Sequence, residues 1–501
     1  MGCGSSHNLD QVKLVKKKAQ LTNFLQDSKR NIRQVYKFIS VLGKGGFGTV
    51  KLAQMRNNSK QKIAIKIIQR SRLRSNEISF LRELEILRSL DHPYIIKFHE
   101  VYVDEMFFYI CMEYCEGGEL LERITQKKFF KESEVAQIME KLLYAVNYMH
   151  NRGILHRDLK LQNILFASKS DNSDIKIIDF GLSSKCDEKD LNIVVGTPLY
   201  VSPNIIQGKY DRQCDNWSLG VILYILLVGY PPFNGDNKNE IFQKIQQVDY
   251  SLKGQEWDNI TETAKDLVKK FLVIDSKKII SIRETLQHPW ILQYSRRIQR
   301  ESTSLIKNGQ KKSIGNIYQQ IDPKIINMLK NYKPQSKLKT ELMKVLVNQL
   351  DEKEIESLNN AFSLLDFNYS GIIEISDLQQ VMQEAGCKYT KSELQKIIKN
   401  ISQNSSSNYI IQYSEFIAAA LDQIVDLQTE KIQQFFKYFD RNNNNEISVQ
   451  DLKEVFTRNG RTISDNNIAV MLKEFIPQGN GKITFKIFNK IIIGQNMYYK
   501  T

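Results

Sequence analysis

Four short stretches carry residues whose types and order suit transfer of a phosphoryl group. Gly43-Lys44-Gly45-Gly46-Phe47-Gly48-Thr49-Val50 supplies glycines that let backbone close over phosphates without a side-chain clash. Lys66 ends the strand-like run Ile63-Ala64-Ile65 and would reach those phosphates. In His156-Arg157-Asp158-Leu159-Lys160-Leu161-Gln162-Asn163, Asp158 would accept a hydroxyl proton, and Lys160 would neutralise charge on the moving group. Asn163 and Asp179, the latter in Asp179-Phe180-Gly181, would hold Mg²⁺. A lone glycine loop is a weak signal. Several stretches in order, each with its own task on ATP, metal or hydroxyl, point to one chemistry.

These groups need elements to place them. Alternating β-branched residues flank the glycine loop, as a hairpin requires. Lys66 needs an acid on a neighbouring helix, and Glu83 in Phe80-Leu81-Arg82-Glu83-Leu84-Glu85-Ile86-Leu87 is the choice, with Ile86 and Leu87 expected on the opposite flank. Glu85, on a different face, is the competitor. A Lys66–Glu83 pair is also a switch, because moving the helix undoes it.

A second chemistry lies farther along, in loops patterned like calcium ligands at positions 1, 3, 5, 7, 9 and 12 with glycine at 6. Loop one, residues 366–377, offers Asp366, Asn368, Ser370, the Ile372 carbonyl, Glu374 and Asp377, with Gly371 at the bend. Loop three, residues 440–451, offers Asp440, Asn442, Asn444, the Glu446 carbonyl, Ser448 and Asp451, with Asn445 at the bend. Asparagine tolerates left-handed geometry better than most residues. Both loops end in aspartate where glutamate is usual, so lower affinity and poorer contrast with Mg²⁺ are expected. Loop two, residues 404–415, has Asn404, Ser406 and Asn408 but a single acid, Glu415, and Tyr409 replaces glycine. Loop four, residues 476–487, has Ile476 and Ile487 where carboxylates belong and reads as structural, with Ile483 pairing across to its neighbour and Phe475, Phe485 and Phe488 filling core.

At 501 residues the chain exceeds what one core usually serves, so two or three domains are expected. The most apolar run, residues 219–228, is too short to span a bilayer and reads as a buried helix. Cys3, Cys111, Cys115, Cys186, Cys214 and Cys387 show neither paired metal spacing nor a dense disulfide pattern, which fits a reducing cytosol. The formal net charge is +15, yet the lysines are dispersed without a nucleic-acid module, so no nucleic-acid partner is expected. Met1-Gly2-Cys3-Gly4-Ser5-Ser6 satisfies the pattern for myristoylation at Gly2, and Cys3 sits where palmitate could join it. One myristoyl chain binds membrane with an association constant of only about 10⁴ M⁻¹, so Cys3 palmitate or the basic group Lys13, Lys16, Lys17 and Lys18 would supply the second anchor. The expected location is cytoplasmic, peripheral on the cytosolic face of a membrane.

The phosphoryl-transfer motifs resemble the eukaryotic protein kinase family. The resemblance implies a two-lobed α+β fold, with Met112 as gatekeeper, Glu113 to Cys115 as hinge, and Leu42, Val50, Ala64 and Leu165 as adenine walls. Lys160 with Thr197 looks like the serine/threonine branch, Asp215 resembles the acid that braces the catalytic loop from beneath, and Glu119 is a candidate partner for a substrate arginine. Some positions depart from the pattern. Ser202-Pro203-Asn204 stands where Ala-Pro-Glu is usual, and Ile279 replaces the arginine that pairs with that glutamate. Losing both partners of a buried pair is tolerated far better than losing one. Leu161-Gln162 also replaces the usual Pro-Glu, which is expected to weaken a preference for basic substrates. Asp187, Glu188 and Asp190 could pair with Arg157 in place of an activating phosphate, or form a solvated loop.

Past residue 294 the chain turns basic and polar, as a linker does. Leu338, Leu342, Val345, Leu346 and Leu350 then fall at helical intervals, with Lys337, Lys339 and Lys344 expected outside the stripe. A basic amphipathic helix beside calcium loops suggests a helix-in-groove ligand supplied in cis. This junction looks like that of plant and protist calcium-dependent protein kinases. The expected order is a basic lipidated leader (1–35), a kinase domain (36–294), an autoinhibitory junction (295–350) and an all-α calmodulin-like domain with partly degenerate EF-hands (351–501). The resemblance implies a Ca²⁺-regulated serine/threonine kinase using ATP and Mg²⁺ on protein substrates. The rival readings are a kinase that has lost calcium control, set by localisation or by autophosphorylation at Thr303, and a non-catalytic lipid-anchored scaffold.

Overall fold

A computed structural model describes residues 31–45, 48–56, 58–73, 77–127, 130–171, 173–185, 196–208, 211–294, 321–347, 350, 352–384, 386–402, 409–424, 429–459, 463–476 and 481–493. Gly2, Cys3 and the leader lysines, Gly46 and Phe47, the activation-segment acids, Thr303, and Asn404, Ser406 and Asn408 lie outside the described residues.

Strands β1 (Tyr36–Gly45), β2 (Gly48–Met55), β3 (Asn58–Gln69), β4 (Phe98–Val103) and β5 (Phe107–Glu113) form one antiparallel sheet in the order β1-β2-β3-β5-β4. Helix α1 (Glu77–Ser89) follows β3. Gly43 pairs with Val50 and Gly45 with Gly48, so these glycines lie on the β1–β2 hairpin. Gly48 is required as glycine: its φ is 150°, and a Cβ there would lie 2.1 Å from the Ile67 carbonyl oxygen.

Successive side chains of a strand face opposite sides, and here β3, β4 and β5 feed a buried core on each face. Ile68, Phe108 and Ile110 join the core of the helical lobe; Ile63, Ile65, Tyr109 and Cys111 join a separate core shared with the C-terminal helices. The apolar run Phe107-Phe108-Tyr109-Ile110-Cys111 in β5 is the local signature of a strand covered on both sides.

The helical lobe is built on α2 (Glu132–Asn151) and α3 (Gln213–Val228), and α3 contains the apolar run read as a buried helix. Among the described residues no helix is long and apolar enough to cross a membrane. Between α2 and α3, β6 (Ile154–Leu155) pairs with β9 (Ser184–Lys185), and β7 (Ile164–Phe166) pairs with β8 (Ile175–Ile177). Their ends present Asp158, Asn163 and Asp179.

Beyond the linker, α4 (Pro323–Asn331) starts at Asp322, whose carboxylate caps Lys324 N, with proline in the first turn. Helix α5 (Lys337–Leu346) starts at Ser336, which caps Lys339 N. The hands follow as α6 (Glu352–Leu365), β10 (Ile372–Glu374), α7 (Ile375–Glu384), α8 (Lys391–Ser402), β11 (Ile410–Gln412) and α9 (Tyr413–Ile424). The second pair is α10 (Thr429–Phe439), β12 (Glu446–Ile447), α11 (Val449–Arg458), α12 (Asp465–Lys473), β13 (Ile483–Thr484) and α13 (Phe485–Ile493). Loops pair through Ile373–Ile411 and Ile447–Ile483, so loop four keeps the pairing expected of it. Phe488 is fully buried, with Phe475 and Phe485 packed against the same core.

Two placements differ from the helical-wheel reading. Glu83 is buried together with Ile86 and Leu87, because residues three and four apart share a helix face; Glu85 is exposed. In α5 only Lys337 lies outside, while Lys339 and Lys344 are buried with the apolar stripe. Helix α5 packs on α9 of the hands.

Candidate active site

Lys66 Nζ lies 2.6 Å from Glu83 Oε1 and 3.2 Å from Asp179 Oδ1. Burial by itself lowers the Lys66 value, but these two carboxylates outweigh it and hold the ammonium firmly protonated. Burial likewise pushes Asp179 up, and the Lys66 charge overcomes this and holds it below the ordinary value. Phe180 is buried in the large-lobe core, edge-on to His156, which keeps Asp179 turned into the cleft.

A second network surrounds Asp158. Its Oδ2 accepts from Lys160 Nζ at 2.6 Å and Asn163 Nδ2 at 3.2 Å, and its Oδ1 accepts from the Thr197 hydroxyl at 2.9 Å and Thr197 N at 3.2 Å. Lys160 also donates to Thr197 Oγ1 at 2.9 Å. Carboxylate and ammonium thus share one hydroxyl between them.

The loop is held in a costly shape from below. Arg157 and Asp179 adopt left-handed φ values of 66° and 62°, which cost on the order of 1–3 kcal/mol each outside glycine. Wholly buried Asp215 accepts from Arg157 N at 2.9 Å and His156 N at 3.0 Å, and its Oδ2 lies 2.8 Å from His150 Nε2. Ile279, at one departure from the family pattern, packs in the large-lobe core where the arginine would have been charged.

Ala64 sits beside Met112 across β3 and β5, and Val50 faces Lys66 across β2 and β3. Leu165 bridges to Glu119, whose value is raised by burial and then by Glu122. Leu42 is exposed and Cys115 buried. The Glu113 carboxylate turns away, 3.0 Å from Lys176 Nζ and accepting from Lys97 N, so its contribution to a nucleotide site is confined to backbone. Among the described residues, nothing apart from the chain neighbours lies within 4 Å of a Cβ built at Gly43 or Gly45. The oxygen donors of Asp179 and Asn163 fit Mg²⁺.

In loop one, Asp366 accepts from Ser370 N at 2.9 Å and Gly371 N at 2.7 Å; in loop three, Asp440 accepts from Asn444 N at 3.1 Å and Asn445 N at 2.8 Å. Asn445 takes φ 62° and Gly371 φ 75°, so asparagine does the bend's work in loop three. Burial pushes Asp377 up to about 7, and the charges of Asp366 and Glu374 add to the rise. Such a crowd of buried acid fits a divalent cation. Among the described residues no three His, Cys, Asp or Glu side chains cluster as a metal site, because these loops draw on asparagine, serine and backbone oxygens as well.

The hands also touch the kinase lobes directly, through residues that sequence reading missed. Arg441, second in loop three, places Nη2 3.0 Å from Glu100 Oε2 on β4 and 3.1 Å from the Tyr102 hydroxyl, while the Tyr36 hydroxyl donates to Glu100. In loop one, Tyr369 stacks on Tyr144 of α2 with centroids 4.9 Å apart, and its carbonyl accepts from Asn147. A Cβ at Gly371 would lie 2.3 Å from the Tyr148 ring. Ser414 N, at the start of α9, donates to Asp91 at 2.9 Å.

A two-lobed fold with these networks, followed by paired helix-loop-helix units, defines a protein kinase joined to EF-hands. The protein kinase domain family matches residues 36–291, and the EF-hand domain pair family matches residues 355–421 and 429–492. Calcium-dependent protein kinase 5 of Plasmodium falciparum is 34% identical over 456 residues, spanning 90% of this chain and 77% of that protein. Calcium-dependent protein kinase 3 of Plasmodium berghei is 36% identical over 454 residues, spanning 89% and 78%. The chain belongs to the calcium-dependent protein kinase family. It is a calcium-regulated serine/threonine protein kinase, with ATP, Mg²⁺ and Ca²⁺ as its cofactors.

Proposed function

We propose that Asp158 takes the proton of a substrate serine or threonine alcohol while Lys160 offsets charge on the transferring group. The hydroxyl of Thr197, held between these two side chains, supports this reading, because an incoming alcohol needs the same pair of partners. Lys66, aligned by Glu83, orients the phosphates, and Asn163 and Asp179 hold Mg²⁺; when bound, the magnesium nucleotide supplies the phosphoryl group and its leaving diphosphate. Leu42, Val50, Ala64, Met112 and Leu165 wall the adenine, Glu113 and Cys115 offer backbone groups, and the glycine run from Gly43 to Gly48, with Lys44 and Phe47, covers the phosphates. Glu119 meets a basic substrate residue.

We propose that α5 carries the regulation. In low calcium α5 obstructs the cleft; calcium in loops one and three lets the hands hold it instead. Burial of Leu338, Leu342, Val345 and Leu346 among the hand helices supports that captured arrangement. Acyl chains on Gly2 and Cys3 tether the enzyme to the cytosolic face of a membrane.

The observation that carries the catalytic reading is the joint assembly of the Lys66–Glu83–Asp179 and Asp158–Lys160–Thr197–Asn163 networks. Peptide phosphorylation by the full chain in chelator and in free calcium tests both halves. Asp158→Asn is expected to lose about 10²-fold or more in kcat. Equal rates in chelator and calcium would remove autoinhibition, and an active Asp158→Asn would remove the base. Incorporation of labelled myristate, lost in Gly2→Ala, tests the anchor.

A further inference from the structure

Hand two has one acid in its loop, Glu415, at the last position, where Asp377 and Asp451 stand in loops one and three. In all three loops the residue three places earlier donates its backbone N–H to that carboxylate. Glu374 reaches Asp377 at 2.7 Å, Gln412 reaches Glu415 at 3.1 Å, and Ser448 reaches Asp451 at 3.0 Å. Hand two therefore folds its exit carboxylate as the better-equipped hands do, despite Tyr409 at the bend.

The difference lies at the second oxygen. Glu415 Oε1 accepts from Lys344 Nζ at 2.8 Å, and the two side chains are only 3% and 4% exposed. Lys344 also donates to the Ser402 carbonyl at 3.4 Å and lies 3.9 Å from Glu341. Ser402 ends α8, the helix entering hand two, and Glu415 lies in the first turn of α9, the helix leaving it. One ammonium thus ties the entering helix to the exit carboxylate. In an EF-hand that tie is the metal's task, since the ion draws ligands from both ends of the loop.

We propose that Lys344 is the resident cation of hand two: the junction helix brings, as an ammonium, the charge that calcium supplies in hands one and three. The loop's poverty in acid suits this, because a single carboxylate balances a monovalent cation, whereas a divalent ion needs more oxygen charge around it. A lysine is all but never fully buried without a partner, and removing either member strands the other. The grip of hand two on α5 then needs no calcium ion of its own, and calcium control falls to hands one and three. That last step rests on the regulatory reading above; the Lys344–Glu415 pairing does not.

The test uses the full chain as wild type, Lys344→Met, Glu415→Gln and the double variant. Calorimetric titration with calcium chloride is expected to give wild type and Glu415→Gln the same ion count, with hand two contributing none. In saturating calcium, each single variant is expected to lower the melting midpoint of the hands, and the double variant to recover most of that loss. One ion fewer in Glu415→Gln would overturn the proposal by making Glu415 a calcium ligand. A double variant that melts at the sum of the single losses would also overturn it. Should the single variants fail to fold, the wild-type count decides: a third bound calcium ion sinks the idea, and a count limited to hands one and three supports it. Equal kinase rates with and without calcium would sink the regulatory reading alone, leaving the melting cycle in saturating calcium to judge the pair.

Discussion

Arg441→Met isolates the grip of hand three on the small lobe. Arg441 Nη2 sits 3.0 Å from Glu100 Oε2, with the arginine side chain 4% exposed and the glutamate wholly buried. Methionine keeps much of the packing and removes the charge, which leaves the Glu100 carboxylate sealed without its guanidinium partner while the Tyr36 hydroxyl still donates to it. Breaking one side of a buried pair costs about 3–5 kcal/mol. Undocking returns Glu100 to water, so the cost falls on the docking equilibrium and not on the lobe's own fold. At about 1.4 kcal/mol per factor of ten, docking weakens roughly a hundredfold to several thousandfold. Hydrogen exchange in saturating calcium reads this out through the amides of β4 and β5, whose outward side chains share a core with the hands. Faster exchange there, with a fall in calcium-stimulated rate, is expected. Adding Glu100→Gln removes the stranded charge and should restore most of the protection. Unchanged exchange in Arg441→Met, or no recovery in the double variant, would refute the reasoning.

Three further outcomes follow from named contacts. Gly48→Ala drives a Cβ to 2.1 Å from the Ile67 carbonyl, and the overpacking cost of about 1–3 kcal/mol or more should appear as a lower melting midpoint and weaker nucleotide binding, measured by calorimetry. Asp440→Ala removes the carboxylate that gathers Asn444 N and Asn445 N, so the chain should bind one calcium ion fewer and need more calcium for half-maximal activity. Asp377 titrates at about 7 in the folded chain against its ordinary 3.8, so between those values the folded state binds more protons than the unfolded one. Stability of the hands in chelator should therefore fall as pH rises through that window, and Asp377→Asn or saturating calcium should flatten the slope in thermal melts.

The catalytic chemistry was legible because its residues come in contiguous stretches. Asp158, Lys160 and Asn163 lie within one loop, where peptide geometry sets their spacing, and Asp179 follows two residues after a short strand. The loops of hands one and three were legible for the same reason, down to the left-handed Asn445. The apolar stripe of α5 from Leu338 to Leu346 also read correctly, since helical periodicity is a property of the chain, while Leu350 falls past the helix end. Two of its lysines, Lys339 and Lys344, did not. Lys344 was expected in solvent because a lone ammonium belongs there; a buried carboxylate 71 positions away overrode that preference.

The amino-acid sequence by itself determined the class of protein: the kinase motifs in their order and the helix-loop-helix pairs with their loop pattern. Only the tertiary structure decided how the parts lean on one another. Glu100 meets Arg441 across 341 positions, and the outer face of the sheet is buried by the hands. Local spacing follows from covalent geometry and strand or helix period, whereas the pairing of distant surfaces depends on every other contact competing for them. A buried ion pair shows in the sequence only as two unremarkable charges until folding brings them together and removes the water.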